Sequence, residues 1–99
     1  MKLAYIIFNQ GHMSDVMDLL KKLDIDYFTR WERVTGKGHG TEAHIGTSVH
    51  PATNSLLMIA FEQEAILENL IDTIHEFNKE IIRPDDRVRL FQVPLDRIV

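Results

Sequence analysis

The sequence contains no cysteine among its 99 residues. Disulfides, thiolate metal sites and cysteine nucleophiles are therefore excluded, and this composition fits a reducing compartment. A long hydrophobic run is also missing, because the apolar stretch Leu3 to Phe8 is too short for a signal-peptide core or a membrane span. We therefore expect a cytoplasmic protein without membrane insertion.

An excess of positive charge is missing as well. The chain has 11 lysines and arginines against 15 aspartates and glutamates, which gives a formal net charge of -4. General nucleic-acid binders are normally basic, so we predict no nucleic-acid partner. The length favours a single domain over residues 1–99.

The hydrophobic pattern predicts six elements in the order strand, helix, strand, strand, helix, strand. The predicted strands are Lys2–Asn9, Asp26–Thr35, Ser55–Phe61 and Arg87–Val93, and the predicted helices are His12–Asp24 and Gln63–Ile82. This order is typical of the ferredoxin-like split βαββαβ arrangement. We therefore predict an α+β fold, in which a four-stranded antiparallel sheet carries two helices on one face.

The first and third predicted strands are apolar on both faces. In the first strand, Leu3, Tyr5 and Ile7 alternate with a second apolar set, and the third strand reads SLLMIAF. Two helices can cover only one face of the sheet, and exposed apolar faces of this size are uncommon in monomers. We therefore predict a homo-oligomer that packs sheet against sheet.

Glycine is scarce, and it is concentrated in one loop. Four of the five glycines and three of the five histidines lie in GKGHGTEAHIGTSVHP, residues 36–51. Long loops in compact domains are more often functional than not. We therefore interpret residues 36–54 as a ligand-binding or partner-binding loop, although a passive connection between strands is the simpler alternative.

The first hypothesis for this loop is capture of an anion or nucleotide. Gly36 and Gly38 allow backbone N–H groups to turn toward a phosphate, and Lys37 adds a charge. Arg33 and Arg89, like Arg30 and Arg87, lie on predicted strands that could neighbour the base of the loop, and the planar guanidinium group suits phosphate. Surface pairing of these arginines with Glu32, Asp85 and Asp86 is the alternative.

The second hypothesis is a metal site. Four residues separate His39 from His44 and five separate His44 from His50, and Glu42 lies among them. Imidazole with carboxylate suits divalent transition metals such as Zn²⁺, Ni²⁺ or Cu²⁺. The spacing matches no standard zinc motif. This alternative predicts a role in metal homeostasis.

Several segments resemble the PII signalling proteins. The run TRWERVTGKGHGTE, residues 29–42, is similar to the end of their second strand, where a Val-Thr-Glu-Val-like run leads into Gly-x-Gly and a long ligand-responsive loop. The opening MKLAYIIFN and the closing VRLFQVPLDRIV resemble their first and last strands. In order, the resemblance covers residues 1–99.

The resemblance implies a homotrimer whose sheets line the centre and whose intersubunit clefts bind ATP, ADP or AMP. It also implies that the loop docks on a partner, commonly a transporter or an enzyme. Gly36 and Gly38 match the Gly-x-Gly, and Arg89 matches a phosphate-binding lysine. We therefore predict a small-ligand sensor without enzymatic activity, which signals through residues 36–51.

Three departures make this chain a divergent relative. The run RPDDRV replaces a glycine-rich turn, the two arginines that typically follow the last strand are missing, and the loop has no tyrosine for uridylylation. Two alternatives stay open. One is a metal-binding trimer that uses the loop histidines, and the other is a cofactor-free monooxygenase that uses His12, Trp31 and Asn9, although no nucleophile is paired with a base.

Overall fold

The computed structural model describes residues 1–39, 44–46 and 52–99. Within them the predicted element order is confirmed. The strands are β1 (Lys2–Asn9), β2 (Thr29–Val34), β3 (Asn54–Phe61) and β4 (Arg89–Pro94), and the helices are α1 (Met13–Lys22) and α2 (Glu64–Lys79). Short 3-10 turns at Gln10–His12 and Pro84–Asp86 precede α1 and β4. The strands form one antiparallel sheet in the order β2-β3-β1-β4, so the ferredoxin-like prediction is also confirmed.

Helix α1 ends two residues before the predicted Asp24. Asp24 has a left-handed φ of 60°, which ends the helix. The N–H of Asp24 donates to Lys21 O at 3.1 Å, and the N–H of Ile25 donates to Leu20 O at 2.9 Å. This Schellman pair satisfies the last carbonyls, and it turns Ile25 into the core.

At three other boundaries the predicted element extends beyond the observed one. Helix α2 ends at Lys79 and not at Ile82, and β2 starts at Thr29 and not at Asp26. Strand β4 starts at Arg89 and not at Arg87, because the 3-10 turn at Pro84 holds the Arg87 N–H on Pro84 O at 3.3 Å. The turn therefore uses residues that a periodicity argument assigns to the strand.

The core lies between the two helices and one face of the sheet. That face is apolar at alternate positions of the two central strands, where every second side chain points the same way. Its buried strand residues are Ala4, Ile6, Phe8, Leu57, Ile59 and Phe61, and the helices add Val16, Leu20, Leu67, Leu70 and Ile74. Burial of these apolar side chains supplies the main driving force for the fold.

The opposite face of the sheet, which we call the open face, carries no helix among the described residues. Strand pairing places Ile7 opposite Leu56 and Tyr5 opposite Met58 across its centre. At the two edges, Trp31 is 43% exposed and Phe91 is 50% exposed. Over the described residues, the centre of the open face is therefore apolar and uncovered, as the sequence predicted.

Strand β2 contains an irregularity that redirects its end. The pairing shifts between Trp31 and Val34, and Arg33 within this bulge has a φ of 59°. Because the bulge adds one residue, Val34 pairs with Asn54 and shares the open face with Trp31. Strict alternation along the strand predicts Val34 on the opposite face, and the bulge makes that prediction wrong.

Candidate functional site

A groove of about 660 Å³ crosses the end of the open face where β2 and β1 end and β3 and β4 begin. We call it the loop-base groove. Its lining comes from the base of the 36–54 loop on one side, from the sheet below and from β4 with its preceding turn on the other side. The principal lining residues are Ile7, Asn9, Val34, Gly36, Lys37, Gly38, His39, His44, Asn54, Leu56, Asp85, Arg87, Arg89 and Phe91.

The loop side of the groove is held by a two-residue antiparallel bridge. The Gly36 N–H donates to His44 O at 2.8 Å, and the His44 N–H donates to Gly36 O at 2.7 Å. The Gly36 amide is therefore engaged inside the loop and does not face a ligand. In this structure the Gly36 N–H is therefore not directed at the groove as the phosphate-binding N–H that the sequence suggested.

The side chain of His44 is fixed by Asn54. Its Nδ1 lies 2.7 Å from Asn54 Oδ1, and His44 is only 7% exposed although it lines the groove. A carboxamide oxygen can only accept, so this contact is a hydrogen bond in the tautomer that carries its proton on Nδ1, and in that tautomer Nε2 is an acceptor.

The β4 side contributes two arginines. Arg89 pairs with Ile7 in the strand register, which places it on the open face. Arg87 follows the turn that contains Asp85, and Asp85 is paired with Arg83 at 3.3 Å. The Asn9 amide donates to Asp86 Oδ1 at 3.3 Å and so ties this turn to the end of β1. These contacts hold the arginines at the edge of the groove.

The groove has the opposite charge sign from the whole protein. Lys37, Arg87 and Arg89 give three formal positive charges among its lining residues, and Asp85 gives one negative charge. The whole chain carries -4. A positive groove in an acidic protein favours an anionic ligand, because the local charges determine the potential at the site.

Four of the five predicted anion-binding residues meet in the groove, namely Gly36, Lys37, Gly38 and Arg89. Arg33 does not line it, because the β2 bulge intervenes. Sequence reasoning missed Asn54 and assigned Asp85 only to surface pairing. Neither carried a motif. Asn54 closes the loop, and the contact of the turn before β4 with the end of β1 brings Asp85 beside it.

The metal hypothesis finds no support in the described residues. They contain no group of three histidine, aspartate or glutamate side chains placed to hold a metal ion. His39 and His44 both line the groove, but Nδ1 of His44 is already bonded to Asn54. His50 lies outside the described residues.

The monooxygenase residues are not gathered in one cavity. His12 packs edge-on against Phe77, with ring centroids 5.7 Å apart, beside the helices. Trp31 stands on the open face, whereas Asn9 lines the loop-base groove and caps Gly11 at 2.9 Å. This separation gives the three residues no shared substrate pocket.

Among the described residues, no helix has the length and apolar character needed to cross a bilayer.

A family model, described as nitrogen regulatory protein P-II, matches residues 1–99. The chain belongs to the P-II family. The resemblance seen in the sequence is thereby confirmed, and the four-stranded sheet with two helices is the P-II fold. No curated protein matches the chain.

Solved structures of one P-II-like protein have the same fold. CPII from Thiomonas intermedia K12, bound to ADP, AMP and bicarbonate, is 18% identical at a TM-score of 0.69, covering 92% of this chain and 86% of CPII. Its complex with ADP and bicarbonate is 19% identical at a TM-score of 0.68, covering 97% and 88%. The apo form is 16% identical at a TM-score of 0.66, covering 93% and 85%. At these identities the similarity establishes the fold.

Proposed function

We propose that this P-II family member is a regulatory sensor without catalytic activity of its own. It binds an adenine nucleotide or another small anion at the loop-base groove. The observation that carries this proposal is the junction of Lys37 from the loop with Arg87 and Arg89 from β4 in one positive groove. Arginine and lysine at such a site suit phosphate and carboxylate groups. The CPII complexes with ADP, AMP and bicarbonate support the same ligand class.

The working unit in this proposal is a homotrimer of single-domain chains. The open face is the surface that association buries, since Trp31 and Phe91 are exposed at its edges. The groove lies at the end of that face, so a neighbouring subunit packed on the sheet would complete its rim and form an intersubunit cleft. Ligand binding and assembly are therefore expected to stabilise each other.

Signalling runs through residues 36–51 in this proposal. The bridge between Gly36 and His44 connects the loop to the groove, so a ligand there contacts the loop base directly. A ligand changes the shape of the loop only by binding one shape more tightly than another. The partner is a protein, a transporter or an enzyme, that docks on one of these shapes. A cytoplasmic location stays a prediction from the sequence.

Calorimetric titration of the untagged protein with AMP, ADP and ATP tests the anion site. We expect at least one nucleotide to bind, and Arg89→Ala to weaken it about tenfold or more, because hydrogen bonds to charged groups contribute about 1.5–3 kcal/mol. Arg30→Ala is the matched control. Arg30 is also an exposed strand arginine, but it lies on the helix-covered face near Met13 and Met17. Equal affinities for wild type and both variants would remove Arg89 from the site.

A further inference from the structure

The loop-base groove contains side-chain acceptors as well as donors, and His44 is one residue that can accept. Lys37, Arg87 and Arg89 carry only hydrogen-bond donors. His44 differs, because its Nδ1 lies 2.7 Å from Asn54 Oδ1, and the tautomer that donates from Nδ1 to this oxygen leaves a lone pair on Nε2. The described residues give Nε2 no hydrogen-bond partner.

His44 is well suited to hold this acceptor in place. Only 7% of His44 is exposed, and both its backbone N–H and its backbone C=O are hydrogen-bonded to Gly36. Asn54 begins β3, whose pairing with β1 fixes its position in the sheet. The ring is thus held by loop and sheet together. A fixed ring loses little conformational entropy when it binds a ligand, which favours selective recognition.

We propose that His44 is a ligand-contacting residue, and that its Nε2 accepts a hydrogen bond from an acidic proton retained by the bound oxyanion. Arg87, Arg89 and Lys37 bind the negative oxygens, and His44 Nε2 accepts the hydrogen bond from the O–H. The groove therefore selects a protonated oxyanion, such as hydrogen phosphate, over an anion of the same shape and charge that has no proton. This inference rests on the proposed anion site and specifies its ligand chemistry.

The physical basis of the selection is an unpaired acceptor. An oxyanion without a proton places its own lone pair against Nε2, so two acceptors face each other with no hydrogen between them. Leaving a buried polar group unsatisfied costs more than the bond itself contributes. Sites built to hydrogen-bond a ligand O–H reject analogues that lack it for this reason.

Inorganic phosphate and sulfate are the test pair. At about pH 8 phosphate is chiefly the hydrogen phosphate dianion, which has the tetrahedral shape and charge of sulfate and one additional proton. Calorimetry on the full chain should give at least about tenfold tighter binding of phosphate than of sulfate. Bicarbonate against nitrate forms a second pair, planar and singly charged, which tells whether the site fits a tetrahedral or a planar anion.

Three variants assign the selectivity to one ring nitrogen. His44→Asn keeps an amide donor for Asn54 and removes Nε2, so the preference within each pair should fall close to one. His44→Gln carries a side-chain oxygen near the Nε2 position, and it should retain most of the preference. His39→Asn is the control, because His39 lines the same groove but is exposed. It should leave the preference unchanged.

The outcomes separate this inference from the proposed function. Binding of both members of each pair with equal affinity, or tighter binding of sulfate, overturns the role of His44 and leaves the anion site standing. An unchanged preference in a folded His44→Asn variant does the same. If wild type binds none of the four anions and no nucleotide, the anion site and the inference are both wrong. Should His44→Asn fail to fold, equal binding within each pair by wild type still overturns the role of His44.

Discussion

The side chain of Asn78 holds both backbone polar groups of Val88. Asn78 Nδ2 donates to Val88 O at 2.8 Å, and the Val88 N–H donates to Asn78 Oδ1 at 2.8 Å. This pair joins the last turn of α2 to the start of β4, one residue before Arg89. The edge of the loop-base groove therefore depends on an amide in the helical layer.

Replacing Asn78 by alanine should destabilise the protein. The change leaves the N–H and C=O of Val88, a residue only 3% exposed, without their partners. Unsatisfied buried groups cost about 1–3 kcal/mol each, and water that reaches the gap reduces the total, so we expect a loss of roughly 2 kcal/mol. Urea unfolding measures it. Asn69→Ala on the same helix, at an exposed position, is the control and should change stability by less than about 0.5 kcal/mol.

Placing a charge on the open face should dissociate the oligomer. We expect light scattering to give wild type the mass of three copies of the 11.5 kDa chain. Phe91→Lys should reduce that mass toward one copy, because an ammonium group buried between sheets without a partner is strongly unfavourable. Ile82→Lys is the control, since Ile82 is 95% exposed away from the sheet. A monomeric wild type would show that the open face is not a subunit interface.

Gly46 should resist substitution more strongly than another glycine. It has a φ of +70°, and a Cβ there would lie 3.0 Å from Thr53 Cγ2. Gly46→Ala should therefore cost roughly 1 kcal/mol or more of stability through backbone strain. It should also weaken anion binding, because Thr53 precedes Asn54. Gly11→Ala is the comparison, since an added Cβ there meets only Asn9 Oδ1 at 3.4 Å. Equal melting curves for the two variants would show that the loop absorbs the strain.

The surface pair of Glu76 and Lys79 predicts an alkaline change in stability. A hydrogen bond from Lys79 to Glu76, followed by the attraction between their charges, raises the pKa of Lys79 above 10.5. A lysine pKa raised by folding stabilises the protein below the unfolded value, and the contribution is lost as pH rises through the folded value. The part of the stability difference between wild type and Glu76→Gln that comes from this pair should therefore be present at neutral pH, and it should fall as pH rises from 10.5 through the raised pKa of Lys79.

NMR titration of the Lys79 side chain checks the cause directly. Glu76→Gln should lower its pKa toward 10.5, and added salt should reduce the wild-type shift because the pair is exposed. Glu80→Gln changes the next residue and should leave the titration as in wild type. A Lys79 pKa that does not respond to Glu76→Gln would contradict the assignment.

Local patterns in the sequence were sufficient to predict the fold. Strand β1 was predicted with its observed bounds, Lys2–Asn9, and the order of the predicted elements indicated a sheet covered on one side by two helices. These features follow from side-chain alternation, which depends only on neighbours along the chain. The predicted boundaries were wrong where a turn replaces the end of a helix or the start of a strand, as at Asp24 and around Pro84.

The sequence by itself determined the P-II fold, the uncovered face and the concentration of glycine and histidine after β2. Only the tertiary structure decided which of these residues meet. The β2 bulge keeps Arg33 out of the groove, and antiparallel pairing brings Asn54 to His44 and Arg89 toward Lys37. Hydrophobic periodicity predicts which face of an element a side chain lies on, but a binding site depends on distances between segments that are far apart in the chain. Strand register and turn geometry set those distances, and the local spacing of residues predicts neither.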